Sequence, residues 1–260
     1  MTAREGVLDT CGAPKGACPN GCGASGDALI GHEIGGPMCG GLVPYYDDGL
    51  TTIYHGDSRD ILPRIGRFDL MLTDPPYGIA YVSNSGAGKG TKPITNDGTR
   101  LSLRLYRELI PTIEADHVLW FTRWDAWPDV WVELGQSFPL RGLLVWDKGT
   151  PGMGDLSHWG LNYELIASAG SGKLVGGRDS SILRFNGVSP SSRIHPTEKP
   201  VPLLRYLIEK MGANTVVDPF MGSGTTLEAA RQLGVRSVGI ETDIGYCAAA
   251  AARFTQAVIA

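Results

Sequence analysis

The chain has 260 residues, 42% of them apolar and 19% charged, and a formal net charge of −4. That is enough apolar material for a core, so disorder throughout is excluded, and no apolar run reaches the ~18 residues that a membrane-spanning helix needs. The mild acidity excludes a basic nucleic-acid coat protein. It leaves a local DNA site open, because phosphate meets local charge rather than net charge.

Residues 1–44 hold eleven glycines and no long apolar period, and read as an appended extension. The opening Met1-Thr2-Ala3-Arg4-Glu5-Gly6 leads into no apolar stretch, so no secretory signal is read and a cytoplasmic address is expected. Cys11, Cys18, Cys22 and Cys39 crowd this extension, while Cys247 stands apart. In a reducing compartment such a cluster points to a metal site before a disulfide set. Cys18-Pro19-Asn20-Gly21-Cys22-Gly23 is similar to a zinc knuckle with one extra residue. The four cysteines are therefore candidate ligands of a structural zinc, against the alternative of a Gly-rich tail with reduced thiols.

From residue 45 onward strands and helices alternate. Thr52–His55 reads as a strand ending at Gly56-Asp57, and Phe68–Thr73 as a buried strand stopped by Asp74-Pro75-Pro76. Residues 78–98 are loop-like. Leu101, Leu105 and Leu109 fall at helical spacing, and Pro111 ends that helix. His117–Thr122 is a strand and Trp124–Gly135 a helix. Gly142–Trp146 and Tyr163–Ala167 are further strands, followed by a polar segment around the short strand Ile182–Phe185. Leu203, Leu204, Leu207, Ile208 and Met211 form a helical stripe closed by Gly212. Thr215–Val217 and Ser237–Ile240 are strands, Thr225–Leu233 and Tyr246–Ala257 helices. Trp120, Trp124, Trp127 and Trp131 sit near helical periods and read as packing residues, Glu114 and Asp116 as a solvated turn.

This alternation predicts an α/β fold, a doubly wound and mostly parallel sheet. Ligands of such sheets bind at the carboxyl ends of the strands, which singles out Asp57, Asp74–Tyr77, Asp218–Thr225 and Glu241. Asp218-Pro219-Phe220-Met221-Gly222-Ser223-Gly224-Thr225-Thr226 runs from a strand into a Gly-x-Gly turn and a helix. It lacks the third glycine of a dinucleotide fingerprint, and Glu241 follows where a ribose-binding carboxylate is expected. That suits a nucleoside cofactor with little or no pyrophosphate, such as S-adenosylmethionine. The alternative is an ordinary turn capped by a Thr225–Glu228 box. Ser85–Thr91 hints at a P-loop, but Gly90 follows Lys89 where a hydroxyl residue is needed.

Asp74-Pro75-Pro76-Tyr77 is the most specific run. Two prolines lack backbone donors and stiffen the chain, so the corner presents acceptors: its backbone carbonyls and the Asp74 carboxylate. Tyr77 adds an aromatic face. Acceptors beside a stacking face suit a planar ring with an exocyclic amine.

This run resembles motif IV of the amino-methyltransferases that modify adenine N6 or cytosine N4 in DNA. His195-Pro196-Thr197-Glu198-Lys199-Pro200 resembles the cofactor-side motif of that family, and Asp218–Thr226 its glycine loop. Ile94-Thr95-Asn96-Asp97, Trp146-Asp147-Lys148-Gly149 and Asn162-Tyr163-Glu164 are also familiar in that setting. Motif IV precedes the glycine loop, which is the circularly permuted order of the β group. The resemblance covers about residues 45–257.

It implies a Rossmann-like, S-adenosylmethionine-dependent methyltransferase fold over residues 45–260. Asp74 and the Pro75 carbonyl would bind the target amine, with Pro76 stiffening the corner, and Tyr77 would stack on a flipped base. Asp57 would face the adenine of the cofactor and Glu241 its ribose. Asp218, Phe220, Gly222, Ser223, Gly224 and Thr225 would line its sugar and methionine, and Thr197 and Lys199 its amino-acid end. DNA is the implied partner, with no membrane involved and a homodimer as a candidate assembly. Residues 170–194 read as a short target-recognition insert. There Arg178, Arg184 and Arg193, together with Lys89 and Lys92 of the 78–98 loop, are candidate DNA contacts. Aspartate at the head of motif IV leans to adenine N6. Cytosine N4, an RNA or protein-amide substrate, and an inactive DNA-binding homologue are the alternatives.

Overall fold

The computed structural model describes residues 41–76, 99–150, 157–188 and 198–256. Two units divide the chain, Met1–Val43 and Pro44–Ala260, and all the described secondary structure belongs to the second. Its strands are β1 (Tyr46–Asp47), β2 (Thr51–His55), β3 (Phe68–Thr73), β4 (Ala115–Thr122), β5 (Leu140–Asp147), β6 (Tyr163–Gly170), β7 (Ile182–Arg184), β8 (Thr215–Asp218) and β9 (Arg236–Glu241). Its helices are α1 (Ser58–Ile61), α2 (Thr99–Leu109), α3 (Trp127–Ser137), α4 (Val201–Met211), α5 (Thr225–Gln232) and α6 (Ile244–Gln256).

The strands form one nine-stranded sheet in the order β1-β2-β9-β8-β3-β4-β6-β5-β7. β2, β9, β8, β3 and β4 run parallel, whereas β6 is antiparallel to both its neighbours. The central strand shows why. Leu70, Met71 and Leu72 of β3 are all fully buried, as expected of a parallel strand covered on both faces. Leu70 and Leu72 belong to a core shared with Leu203, Leu204, Leu207 and Ile208 of α4 and Ala229 and Ala230 of α5. On α2, Tyr106 packs edge-on against Trp120 of β4, with ring centroids 5.2 Å apart. Each fully buried leucine contributes roughly 2 kcal/mol. β8 is pinned to β3 by a reciprocal clasp. Asp69 Oδ2 accepts the Asn214 and Thr215 amides at 2.8 and 3.1 Å, and the Asp69 amide donates to Thr215 Oγ1 at 2.9 Å. Gly212 ends α4 as expected, with φ +63° in the left-handed region and its amide bonded back to Glu209 and Ile208.

From β8 the chain crosses by α5 to β9 on one side, and from β3 by α2 to β4 on the other. The strand order therefore reverses between β8 and β3, and a crevice opens at such a switch point.

Some expectations need correction. Trp120 is fully buried in β4 and Trp127 and Trp131 pack together on α3 at 4.5 Å, as expected of packing residues, whereas Trp124 is 55% exposed. Pro128 suits the first turn of α3, so that helix starts at Trp127 rather than Trp124. Asp116 lies in β4 and pairs with Arg67, so it is no solvated turn. Gly224 caps α5 without any side-chain bond and Thr225 is already helical, so the Thr225–Glu228 capping box does not form. β1 and the single turn α1 were too short to leave a periodic signal.

Candidate active site

The four strand ends singled out by the sequence lie side by side. β2, β9, β8 and β3 are neighbours and parallel, so Asp57, Glu241, Asp218 and Asp74 emerge at one edge of the sheet. Three strand spacings span about 14 Å.

At the switch point Thr73 Oγ1 donates to Asp218 Oδ1 at 2.8 Å, joining the two strands where they end. Asp218 also accepts the Phe220 amide at 3.1 Å. Burial pushes its carboxyl up to about 6, the hydrogen bonds pull the other way, and the Asp74 charge adds to the rise. A carboxyl raised on folding binds its proton more tightly in the native state. Its contribution to stability therefore declines as pH rises from about 4 to about 6. Asp218→Asn is expected to remove that decline, a difference of about 2 kcal/mol across the interval. Urea unfolding of both proteins at pH 4.5 and 7 measures it, and parallel pH profiles would contradict the assignment.

Beyond Asp218 the chain turns tightly. Met221 N–H donates to Ile240 O at 3.1 Å and Gly224 N–H to Met221 O at 2.9 Å. Gly224 has φ +82°, and a Cβ there would come within 2.9 Å of Ala250 Cβ on α6, so no side chain fits. Ser223, Gly224 and Thr225 are buried in the junction with α5, and Phe220 and Gly222 keep part of their surface. Glu241 Oε2 accepts the Gly222 amide at 3.0 Å and Oε1 the Asp243 amide at 2.8 Å. Burial raises its carboxyl above the usual range against these bonds. Asp57 caps α1 by accepting the Arg59 amide at 2.9 Å, and the Arg59 guanidinium grips it at 2.6 Å and holds its carboxyl low.

Asp74 follows β3 directly and is half-buried, Pro75 is buried, and the Pro76 carbonyl accepts the Tyr106 hydroxyl at 2.7 Å. Sequence reasoning missed Tyr106, whose only signal was a polar tip within an apolar helical stripe. Tyr106→Phe is expected to loosen the corner. The cost is about 1 kcal/mol in stability and a several-fold lower kcat in a methyl-transfer assay; an unchanged kcat would show the corner stiff without it.

Lys199 pairs with Asp74 and lies 3.0 Å from Glu164 Oε2, so its ammonium sits at the motif IV corner. Tyr77, Thr197, Lys89, Lys92, Arg193 and the four clustered cysteines lie outside the described residues. Among the described residues no group of three or more His, Cys, Asp or Glu is arranged to hold a metal ion.

The expected recognition insert is split between two edges. β6 runs antiparallel, so Gly170 ends beside His117, at the edge opposite Asp74. The chain then follows the second half of α4. The Val175 amide donates to Lys210 O at 2.9 Å, and Asp179 pairs with Lys210 at 3.2 Å. Arg178, exposed, precedes Asp179 in this segment. β7 returns to the strand-end edge, where Arg184, 83% exposed, approaches Asp147 at 3.7 Å.

The family model described as a DNA methylase, N6/N4 type, matches residues 116–252. The chain belongs to the N6/N4 DNA methylase family. This methylase is 32% identical to YubD of Escherichia coli over 184 residues, 66% of this chain and 75% of that protein. It is 24% identical to the Type II methyltransferase M2.DpnII of Streptococcus pneumoniae over 248 residues, 78% of this chain and 89% of that one. Among solved structures, the M1.HpyAVI complex with S-adenosylmethionine superposes with a TM-score of 0.60 at 22% identity. It covers 78% of this chain and 99% of that one. The cytosine-N4-specific PvuII DNA methyltransferase superposes with a TM-score of 0.64 at 16% identity, over 81% and 88% of the two chains. These likenesses concern the fold, which is the Rossmann-like fold of S-adenosylmethionine-dependent methyltransferases. The methylase carries its motifs in the β-group order, with the Asp74 strand ahead of the glycine turn. Among the described residues no helix is long and apolar enough to cross a membrane.

The donor set fits an adenosyl cofactor. A ribose offers two hydroxyl donors and needs a fixed acceptor, and Glu241 is a carboxylate held in place by two backbone amides. The turn beside it has no side chain at Gly222 to block close approach.

Proposed function

We propose that this methylase transfers the methyl group of S-adenosylmethionine to the exocyclic N6 of adenine in DNA, on a base turned out of the helix. The observation that carries the reading is Asp74 at the end of β3, next to the strand that leads into the glycine turn. Aspartate at this position leans to adenine in the family, where cytosine-N4 enzymes more often have serine.

Glu241 would hold the cofactor's ribose, Asp57 its adenine end, and Asp218, Phe220 and Gly222 its sugar and methionine. Ser223, Gly224 and Thr225 shape the turn from behind, and Thr197 would meet the amino-acid end. For Asp57 to do so Arg59 must yield part of its grip. When bound, S-adenosylmethionine supplies a methyl group already activated on a sulfonium.

The chain's own task is then to prepare the amine. An exocyclic ring nitrogen is a weak nucleophile because its lone pair is delocalised into the ring. The Asp74 carboxylate accepts one N–H and the Pro75 carbonyl the other, which draws the nitrogen toward tetrahedral geometry and frees the lone pair. Tyr77 stacks on the ring. Tyr106 ties up the Pro76 carbonyl, so the neighbouring Pro75 carbonyl is held in one direction. As the nitrogen gains the methyl group it sheds one proton, for which Asp74 is the acceptor. Fixed acceptors of this kind supply orientation and electrostatic stabilisation together. Arg184 and the basic 78–98 loop would meet phosphate.

Nucleoside mass spectrometry of unmethylated DNA treated with the enzyme and S-adenosylmethionine tests the reading. N6-methyladenine is expected. N4-methylcytosine would overturn the base assignment, and no methylated nucleoside would overturn the reading as a whole.

A further inference from the structure

Behind Asp74 four charges from four separate parts of the chain line up. Lys199, just ahead of α4, pairs with Asp74 and stands 3.0 Å from Glu164 Oε2. Glu164, near the start of β6, takes Lys148 on its other oxygen at 2.5 Å. The order is carboxylate, ammonium, carboxylate, ammonium, and the formal charges cancel. The Lys199 and Glu164 side chains are 6% and 19% exposed. The Phe121 ring lies 5.1 Å from Lys199 Nζ, and the Trp146 ring 5.0 Å from Lys148 Nζ. Burial works against each of these charges. The two ammoniums nevertheless hold the Glu164 carboxyl below its usual range, and the two carboxylates hold Lys199 above its own. Both residues stay charged through neutral pH.

Burying ions in this way costs several kcal/mol each, and apolar side chains of the same size often serve stability as well. The arrangement makes better sense as a control on Asp74. We propose that Glu164 is a positioning residue for the transfer step: it shares the Lys199 ammonium with Asp74 and so keeps Asp74 a strong acceptor for the target amine. This rests on the reading of Asp74 as the amine acceptor. A carboxylate fully claimed by a lysine is a poor partner for a neutral N–H. One that owns half of a lysine keeps more of its negative charge.

Among the described residues the other charged groups nearby are held as follows. From β5 and β7, Asp147 and Arg184 face each other at 3.7 Å. From α6, Arg253 holds Glu198 at 3.0 Å. After β4, Arg123 and Asp125 pair at 2.8 Å. From β8, Asp218 is buried among hydroxyl and amide donors and shares a repulsion with Asp74 that neither substitution below removes.

Two substitutions in the full-length chain move Asp74 in opposite directions. Glu164→Gln removes the Glu164 share of Lys199 and strengthens its hold on Asp74. We expect kcat to fall about tenfold, and the acid limb of the kcat–pH profile to move about one unit lower. Lys148→Gln lets Glu164 pull harder on Lys199, and the same limb moves higher. Calorimetric affinity for S-adenosylmethionine stays within about twofold in both. Opposite shifts do not arise from general loosening of the fold. Should Glu164→Gln fail to fold, the upward shift in Lys148→Gln decides alone. A wild-type kcat with an unmoved limb in the folded variants overturns the proposal. Asp74→Asn separates the two levels. If that variant is inactive while Glu164→Gln behaves as wild type, only the positioning role fails; if Asp74→Asn is fully active, the acceptor reading itself fails.

Discussion

Asp74→Ala is expected to lower kcat for DNA methylation by about a thousandfold or more, with affinity for S-adenosylmethionine changed by no more than about threefold. The carboxylate is the charged acceptor at the Asp-Pro-Pro-Tyr corner. Without it the target amine keeps a planar nitrogen whose lone pair stays in the ring. The cofactor side of the crevice is built by other strands, since Glu241 belongs to β9 and Asp218 to β8. Glu164 remains to neutralise Lys199, which limits the structural damage. Single-turnover transfer of labelled methyl groups, with calorimetry on the same sample, measures both quantities. Substantial activity in the variant would remove Asp74 from the reaction. A parallel loss of cofactor affinity would recast it as a cofactor residue.

The second large effect is expected at Glu241. Its two oxygens hold the Gly222 and Asp243 amides at 3.0 and 2.8 Å, so one side chain both shapes the turn and presents an acceptor. Glu241→Ala removes the acceptor for the ribose hydroxyls, whose charge-assisted bonds would be worth about 1.5–3 kcal/mol each. Affinity for S-adenosylmethionine should fall at least about a hundredfold. Glu241→Gln retains one oxygen and is expected to lose about tenfold. Thermal unfolding without ligand separates binding from collapse, because the amides freed by the alanine cost only a modest drop in stability. Unchanged affinity in Glu241→Ala would place the ribose elsewhere.

Much of this site could be read from local pattern. Phe68–Thr73 is an apolar run of strand length stopped by two prolines, and Val217-Asp218 runs into glycines. Both are signals carried by consecutive residues. The rule that parallel strands present ligands at their carboxyl ends then assembled Asp57, Asp74, Asp218 and Glu241 without any long-range information. What stayed hidden depended on contacts across the chain. Nothing near Lys199 in sequence says that it meets Asp74, 125 residues away, and Glu164. Trp124 escaped the packing expectation because it falls in the turn between β4 and α3, which spacing alone does not reveal. The path of the expected insert at 170–194 stayed hidden for a topological reason. Composition shows basic chain but not direction: the antiparallel run of β6 carries the start of the segment to the far edge, and β7 brings it back to the strand ends.

The bond between Thr73 and Asp218 spans 145 residues of sequence. A ribosome adding about 5–20 residues per second therefore emits β3 on the order of ten seconds before its partner β8 exists. During that interval the most apolar strand of the sheet has one flank without a neighbour, open to any other extended segment nearby. The joint that makes the crevice thus closes late in synthesis, followed only by the pairing of β9 with β8 and β2, and until β8 has been made the newborn chain is open to misassociation along β3.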